Sequence, residues 1–197
     1  MKLRTPILAV LGMSLALAAS AQAVNKKAPE PGNTAIETFT GFAVNVASGQ
    51  AGVIEIVINR WSTDGERQML ENVLKASGSQ AAVNAMQDLP QVGYIRGNNT
   101  MGDALFYARS TELPDGTRRV VIATNRPLSA AQMIAPDASN QYDATVIEMH
   151  FPKGGGKGTG KVVVGGKASI DPKTGQLQMK NWSGEPTRLE RITTKTQ

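Results

Sequence analysis

The chain contains one histidine, His150, and no cysteine. Imidazole chemistry must run through that single side chain, and thiol nucleophiles, thiolate metal sites and disulfides are excluded. Along Tyr142 to Phe151 a two-residue alternation puts Val146, Glu148 and His150 on one face and Ile147, Met149 and Phe151 on the other. Glu148 is thus spaced to orient the imidazole. A serine hydrolase also needs a nucleophile, and the chain has no Gly-x-Ser-x-Gly elbow. With one histidine and no cysteine, a metal would depend on carboxylates that are scattered without ligand spacing, so no cofactor is expected. Glu55 and Glu148, each among apolar strand neighbours, offer a second route: two carboxylates brought close across a sheet can cleave a glycosidic bond. Half-exposed strands explain both glutamates without chemistry.

Gly155-Gly156-Lys157-Gly158-Thr159-Gly160-Lys161 has the glycine and lysine spacing of a phosphate-binding loop. Val162 stands where a hydroxyl should hold magnesium, and the segment runs into Val162-Val163-Val164, a strand, where phosphate binding needs a helix N-terminus. A mobile hairpin loop with solvated lysines is the simpler reading. Its three cations, Lys153, Lys157 and Lys161, could still attract an anionic surface.

Arginines and aromatic residues recur at strand ends. Arg60-Trp61 closes one strand, Tyr94 and Arg96 share a face of another, as do Tyr107 and Arg109, and Arg126 follows a further strand. Guanidinium and aromatic planes on one surface suit anionic or planar ligands. Trp61, Tyr94, Arg96, Tyr107, Arg109 and Arg126 are therefore the candidate ligand-binding residues. Cross-strand packing that stitches the sheet together is the competing explanation.

The elements that must position these groups are mostly strands. Phe39 to Val46 and Gly52 to Asn59 favour strands, the second with Ile54, Ile56 and Ile58 on a dry face. Thr63-Asp64-Gly65-Glu66 fits a capping box. Met69, Leu70, Val73 and Leu74 form an apolar helical stripe behind it. Gly78 marks a stop, and Ala82, Val83 and Met86 mark the inward side of a second short helix ending before Pro90. Strands return at Val92 to Arg96, Leu105 to Thr111 and Arg118 to Thr124, the last two joined by the turn Leu113-Pro114-Asp115-Gly116. Ser129 to Met133 reads as one helical turn. A meander follows: Tyr142 to Phe151, Lys161 to Ile170, Gln176 to Trp182 and Arg188 to Thr193, with a turn at Asp171 to Gly175. The expected fold is α+β: a mainly antiparallel β-sheet of seven to nine strands with an early helical hairpin packed on it.

Ile58-Asn59-Arg60-Trp61-Ser62-Thr63, Val92-Gly93-Tyr94-Ile95-Arg96, Tyr107-Ala108-Arg109 and Ile122-Ala123-Thr124-Asn125-Arg126-Pro127 resemble landmarks of a family of exported bacterial proteins with no assigned activity. The resemblance implies bacterial export and a single domain, and transfers no catalytic residue. Export is also read from residues 1–23: Lys2 and Arg4 precede an apolar run from Ile7 to Ala18, and Ala21-Gln22-Ala23 has the small-x-small pattern of a signal peptidase site. That run is short of the roughly twenty residues that span a bilayer. A flexible linker, residues 24–35, and one domain, residues 36–197, complete the expected organisation, in a periplasmic or secreted location.

The whole chain carries a net charge of +5, and loss of Lys2 and Arg4 leaves nineteen basic against sixteen acidic residues. So small an excess, concentrated in one loop, does not suit nucleic-acid recognition. The leading expectation is a non-enzymatic domain of the cell envelope that binds an envelope protein or an anionic small ligand. The alternatives are an envelope hydrolase using His150 or the strand carboxylates, and a structural protein whose basic loop touches anionic surfaces.

Overall fold

The computed structural model describes residues 35–45, 49–97, 102–125, 144–164 and 187–197, with the backbone of strands 167–170 and 177–180. The leader, nearly all of the linker, Arg126, the Ser129 to Met133 turn and the Asp171 to Gly175 turn lie outside them. The strands are β1 (Glu37–Val44), β2 (Ala51–Ile58), β3 (Gly93–Gly97), β4 (Asp103–Leu105), β5 (Tyr107–Glu112) and β6 (Arg118–Thr124). They continue with β7 (Thr145–Phe151), β8 (Gly158–Val164), β9 (Lys167–Ile170), β10 (Leu177–Lys180) and β11 (Thr187–Thr196), and the helical element α1 (Asp64–Met86) follows β2.

Nine strands form one sheet in the order β4-β3-β2-β1-β11-β8-β7-β6-β5, while β9 and β10 pair separately. Each pairing is antiparallel. The two ends of that order, β4 and β5, are consecutive in the chain with only Phe106 between them. The Phe106 amide donates to the Ala123 carbonyl at 3.1 Å, and the Thr124 hydroxyl donates to the Ala104 carbonyl at 2.8 Å. The sheet therefore curls into a nearly closed barrel. Near closure leaves little unpaired strand edge to template association.

The alternation expected for β2 sends Ile54, Ile56 and Ile58 inward, all buried. They join Phe39, Ile95, Leu105, Val120, Ile122, Ile147, Met149, Val162 and Leu189 in one core that fills the barrel. A second cluster lies outside the wall. There Met86, Leu89 and Phe106 meet Val121, Ala123 and Val146, with Met69 and Leu70 against them, so the helix covers a dry patch on the barrel's outer surface.

The capping box is present at the start of α1. The Glu66 amide donates to the Thr63 hydroxyl at 3.2 Å, and the Thr63 amide donates to the Glu66 carboxylate at 2.8 Å. Arg60 also grips that carboxylate and donates to the Pro90 carbonyl at 2.8 Å. Its hydrogen bond is the largest influence on Glu66 and, with the Thr63 amide, holds the carboxyl below its ordinary range against the opposing effect of burial. One guanidinium thus ties the end of β2, the helix start and the approach to β3.

The structure corrects the expected helical hairpin to a single helical element. Gly78 breaks it locally, with φ 82° and ψ −174°, but helical residues flank Gly78 directly, leaving no loop in which the chain could turn back. The seven to nine strands expected match the nine of the main sheet, and β9–β10 adds two more. Strand β11 contains an irregularity the sequence did not announce. Its register slips against both neighbours around Glu190 to Ile192, where Arg191 adopts φ 51°. Facing it, a Cβ on Gly41 would lie 3.2 Å from the Glu190 carbonyl. This bulge bends β11 and β1 together around the barrel. Among the described residues no helix is long and apolar enough to cross a membrane.

Candidate functional site

In β6 the buried residues Val120 and Ile122 set the inward face, and Arg118 shares it; in β1, Glu37 shares the face of Phe39. Two opposite charges therefore enter the barrel at the same end. The guanidinium meets both Glu37 carboxylate oxygens, at 2.6 and 2.7 Å, while its Nε donates to the Ser110 hydroxyl at 2.6 Å. Thr194 of β11 donates a further hydrogen bond to Glu37 at 3.0 Å. The Glu37 side chain is only 5% exposed, against 32% for Arg118. The rings of Phe39, Trp61 and Phe151 surround the guanidinium, with centroids 5.8, 5.7 and 5.8 Å away. A buried carboxylate and three aromatic rings together hold the cation where its desolvation would otherwise be costly.

The exposed part of Arg118 faces a cleft of about 440 Å³. One wall is built by Ser110 and Glu112 of β5 and by Gly116 of the β5–β6 turn; the other by Phe151, Pro152 and Gly154 to Gly156 of the β7–β8 connection. Thr194 completes the rim. The β5–β6 turn has its expected chemistry: the Gly116 amide donates to the Leu113 carbonyl at 2.8 Å, and Asp115 accepts from the Thr117 amide and hydroxyl. Those two bonds from Thr117 hold the Asp115 carboxyl below its usual range.

In the β7–β8 connection Gly154, Gly155 and Gly156 have φ of 81°, 91° and 122°, conformations that side chains strain. They line the cleft with bare backbone. The following glycines do a different job. A Cβ on Gly158 would lie 2.6 Å from the Phe151 ring, and one on Gly160 would lie 2.4 Å from the Glu148 carbonyl. Both positions are strand residues that let Phe151 and Met149 fill the barrel, so the glycine run is half cleft wall and half packing device. It enters strand β8 and no helix, consistent with rejecting the phosphate-loop reading.

The structure separates the six arginine and aromatic candidates. Trp61 reaches the barrel end and contacts Arg118. Tyr94 and Arg96 are on the outer surface, the guanidinium 5.7 Å from the Tyr94 centroid and 2.5 Å from Glu55 across the β2–β3 pair. Tyr107 packs beside the helix, and burial, the largest effect, raises its phenol pKa. Arg109 pairs with Asp64 in the first turn of α1 at 2.7 Å. Neither pair lines the cleft, and Arg126 lies outside the described residues. The loop lysines also divide: Lys153 lays its stem against Gly116, Lys157 is exposed, and Lys161 pairs with Glu148 at 3.2 Å.

His150 and Glu148 do meet, at 3.0 Å. Glu148 also accepts from Arg119 at 2.7 Å. Burial pushes its carboxyl pKa up, but the hydrogen bond and charge of Arg119, with help from Lys161, outweigh that and hold it below the ordinary value. Glu148 is thus the hub of a charge network on the outer wall. Glu55 and Glu148 do not form an acid–base pair: β2 and β7 are separated by β1, β11 and β8, and each glutamate is ion-paired locally. Among the described residues no group of three or more histidines and carboxylates could hold a metal.

Sequence reasoning missed Glu37, Ser110, Arg118 and Thr194. A signal for two of them existed, because Arg118 and Glu37 each continue the apolar period of their strand. No family model, no curated protein and no solved structure matches this chain, so fold and site rest on its own geometry.

Proposed function

We propose that this chain is a non-enzymatic binding domain of the bacterial cell envelope, exported by its leader, and that it holds a small ligand in the cleft at the Arg118 end of the barrel. One observation carries the reading. Several hydrogen-bonding groups, Arg118, Ser110 and Thr194, converge beside the apolar surface of Phe151 and Pro152 in a concavity of ligand size. Elsewhere the barrel is filled with aliphatic side chains. The buried Glu37 and the three rings fix the rotamer of Arg118, so its free edge is presented without further ordering on binding.

This proposal moves the ligand surface from Tyr94, Arg96, Tyr107 and Arg109 to the cleft and keeps Trp61 as a support for Arg118. Hydrolysis is the weaker reading, because Glu148 is neutralised by Arg119 and Lys161 and His150 stands on the convex outer wall. The test is a small-molecule screen by NMR on the leader-free domain, repeated with Thr194→Trp, which plugs the rim. Ligands should shift resonances of Ser110, Arg118 and Gly154 to Gly156 and should lose affinity in the plugged variant. Alanine at Arg96 and Arg109 should leave binding unchanged. Hits that map to the outer wall and ignore the plug would refute the assignment. Recovery of the protein from the cytosol with Met1 attached would refute the location.

A further inference from the structure

We infer that the cleft selects an uncharged, hydroxyl-rich ring, a neutral saccharide, over an anion. The inference rests on the cleft being the binding site. It begins with the charges that face the concavity. Arg118 is the cation at its base, but both of its terminal nitrogens are engaged by the buried Glu37 carboxylate, so its charge is already matched at contact distance. Glu112 lines the same cleft, is exposed, and has no ion-pair partner among the described residues. Outside the cleft lining, Lys153 runs its stem along Gly116 and Lys157 is solvent-exposed. Arg118 and Glu37 cancel at contact distance, which leaves Glu112 as the charge in the cleft lining. An incoming carboxylate or phosphate would meet a neutralised arginine and an uncompensated Glu112, and would gain little Coulomb energy.

The hydrogen-bonding groups point the same way. A guanidinium carries five N–H donors. Three are used on Glu37 and Ser110, and the other two have no protein partner among the described residues. The Ser110 oxygen accepts from Arg118, which leaves its own proton available to donate. Glu112 supplies acceptors, and the bare backbone of Gly154 to Gly156 lies open beside them. Donors and acceptors thus sit side by side, the requirement for groups such as sugar hydroxyls that both donate and accept. The Pro152 ring gives the C–H face of a pyranose an apolar wall.

The test titrates glucose, N-acetylglucosamine and maltose, and separately acetate and inorganic phosphate, into the leader-free domain, followed by NMR at 50 and 500 mM salt. At least one saccharide should shift the resonances of Ser110, Arg118 and Gly154 to Gly156. Its affinity should change less than about twofold with salt, because no net charge is exchanged. Ser110→Ala and Glu112→Ala should each weaken it about fivefold to tenfold, the loss of one or two net hydrogen bonds. Glu112→Ala replaces an exposed residue and should leave the unfolding midpoint unchanged, which separates lost binding from lost folding. Acetate or phosphate shifting the same resonances with strong salt dependence would overturn the saccharide inference while leaving the cleft assignment intact. Silence of these resonances to all five probes, with hits in the wider screen, also overturns it; silence in that screen as well removes the cleft assignment.

Discussion

Replacing Arg118 with methionine leaves Glu37 in a site where its side chain is 5% exposed and where, among the described residues, its remaining side-chain hydrogen bond is the one from Thr194. Stranding one partner of a buried ion pair costs about 3–5 kcal/mol. Because a third of the Arg118 side chain reaches solvent, water can approach the carboxylate and the cost should fall near the lower end, about 3 kcal/mol. The lost contacts with Phe39, Trp61 and Phe151 add to this, though the flexible methionine recovers part of the packing. The total is a large fraction of the roughly 5–15 kcal/mol that stabilises an ordinary domain. The double variant Glu37→Met with Arg118→Met removes both charges and should recover to within about 1.5 kcal/mol of the parent, as volume-conserving apolar replacement of a buried pair does. Urea denaturation followed by tryptophan fluorescence measures the double variant and both singles, Arg118→Met and Glu37→Met, since Trp61 lies against the guanidinium. A single variant that loses less than about 1 kcal/mol, or a double variant as unstable as the sum of the singles, would refute a pair desolvated and coupled in this way.

Three further outcomes follow from other parts of the structure. The depressed Glu148 carboxyl contributes stability that is fully present above the unfolded glutamate pKa of about 4.3 and drains away as pH falls through the lower folded value. In Glu148→Gln the deficit relative to the parent, read from denaturation midpoints, should therefore be largest near neutrality and shrink towards pH 3. Gly160→Ala drives a Cβ to 2.4 Å from the Glu148 carbonyl, so it should lower stability by about 1–3 kcal/mol through strand displacement, visible in the thermal midpoint. Arg191→Gly should raise stability by up to about 1 kcal/mol, because the residue sits exposed at φ 51° and glycine takes that conformation without the Cβ clash; an unchanged or lower midpoint would contradict this.

Most strands were legible because aliphatic alternation is written plainly in β2, β6 and β7, and local chemistry identified the Thr63 capping box and the Leu113 to Gly116 turn; the run Lys161 to Ile170, read as one strand, is instead divided between β8 of the main sheet and β9 of the separate pair. Closure was not. It depends on the bend at Phe106, which hands one continuous strand from β3 to β6, and no short-range pattern encodes that exchange of partners. The helical break at Gly78 was readable from its residue type, whereas whether the chain reversed there was a question of tertiary geometry. The site shows the same division. His150 and Glu148 share a face by simple parity, and they do meet. Arg118 was readable in principle as an inward-pointing charge, since it precedes Val120 and Ile122 on their own face, but a strand-end arginine usually curls into water. Only the partner from β1, 81 residues away in sequence, makes an interior position tolerable.

The pairing of β1 with β11 ties the first strand of the barrel to the last. Neither β1 nor β8 has its second neighbour until the final stretch from Thr187 onwards has been synthesised. Chains cut short before that point would display two long unsatisfied ladders at once, the kind of surface that recruits other copies into aggregates. Translation that stops before Thr187 is therefore expected to yield insoluble material in place of a weakened barrel.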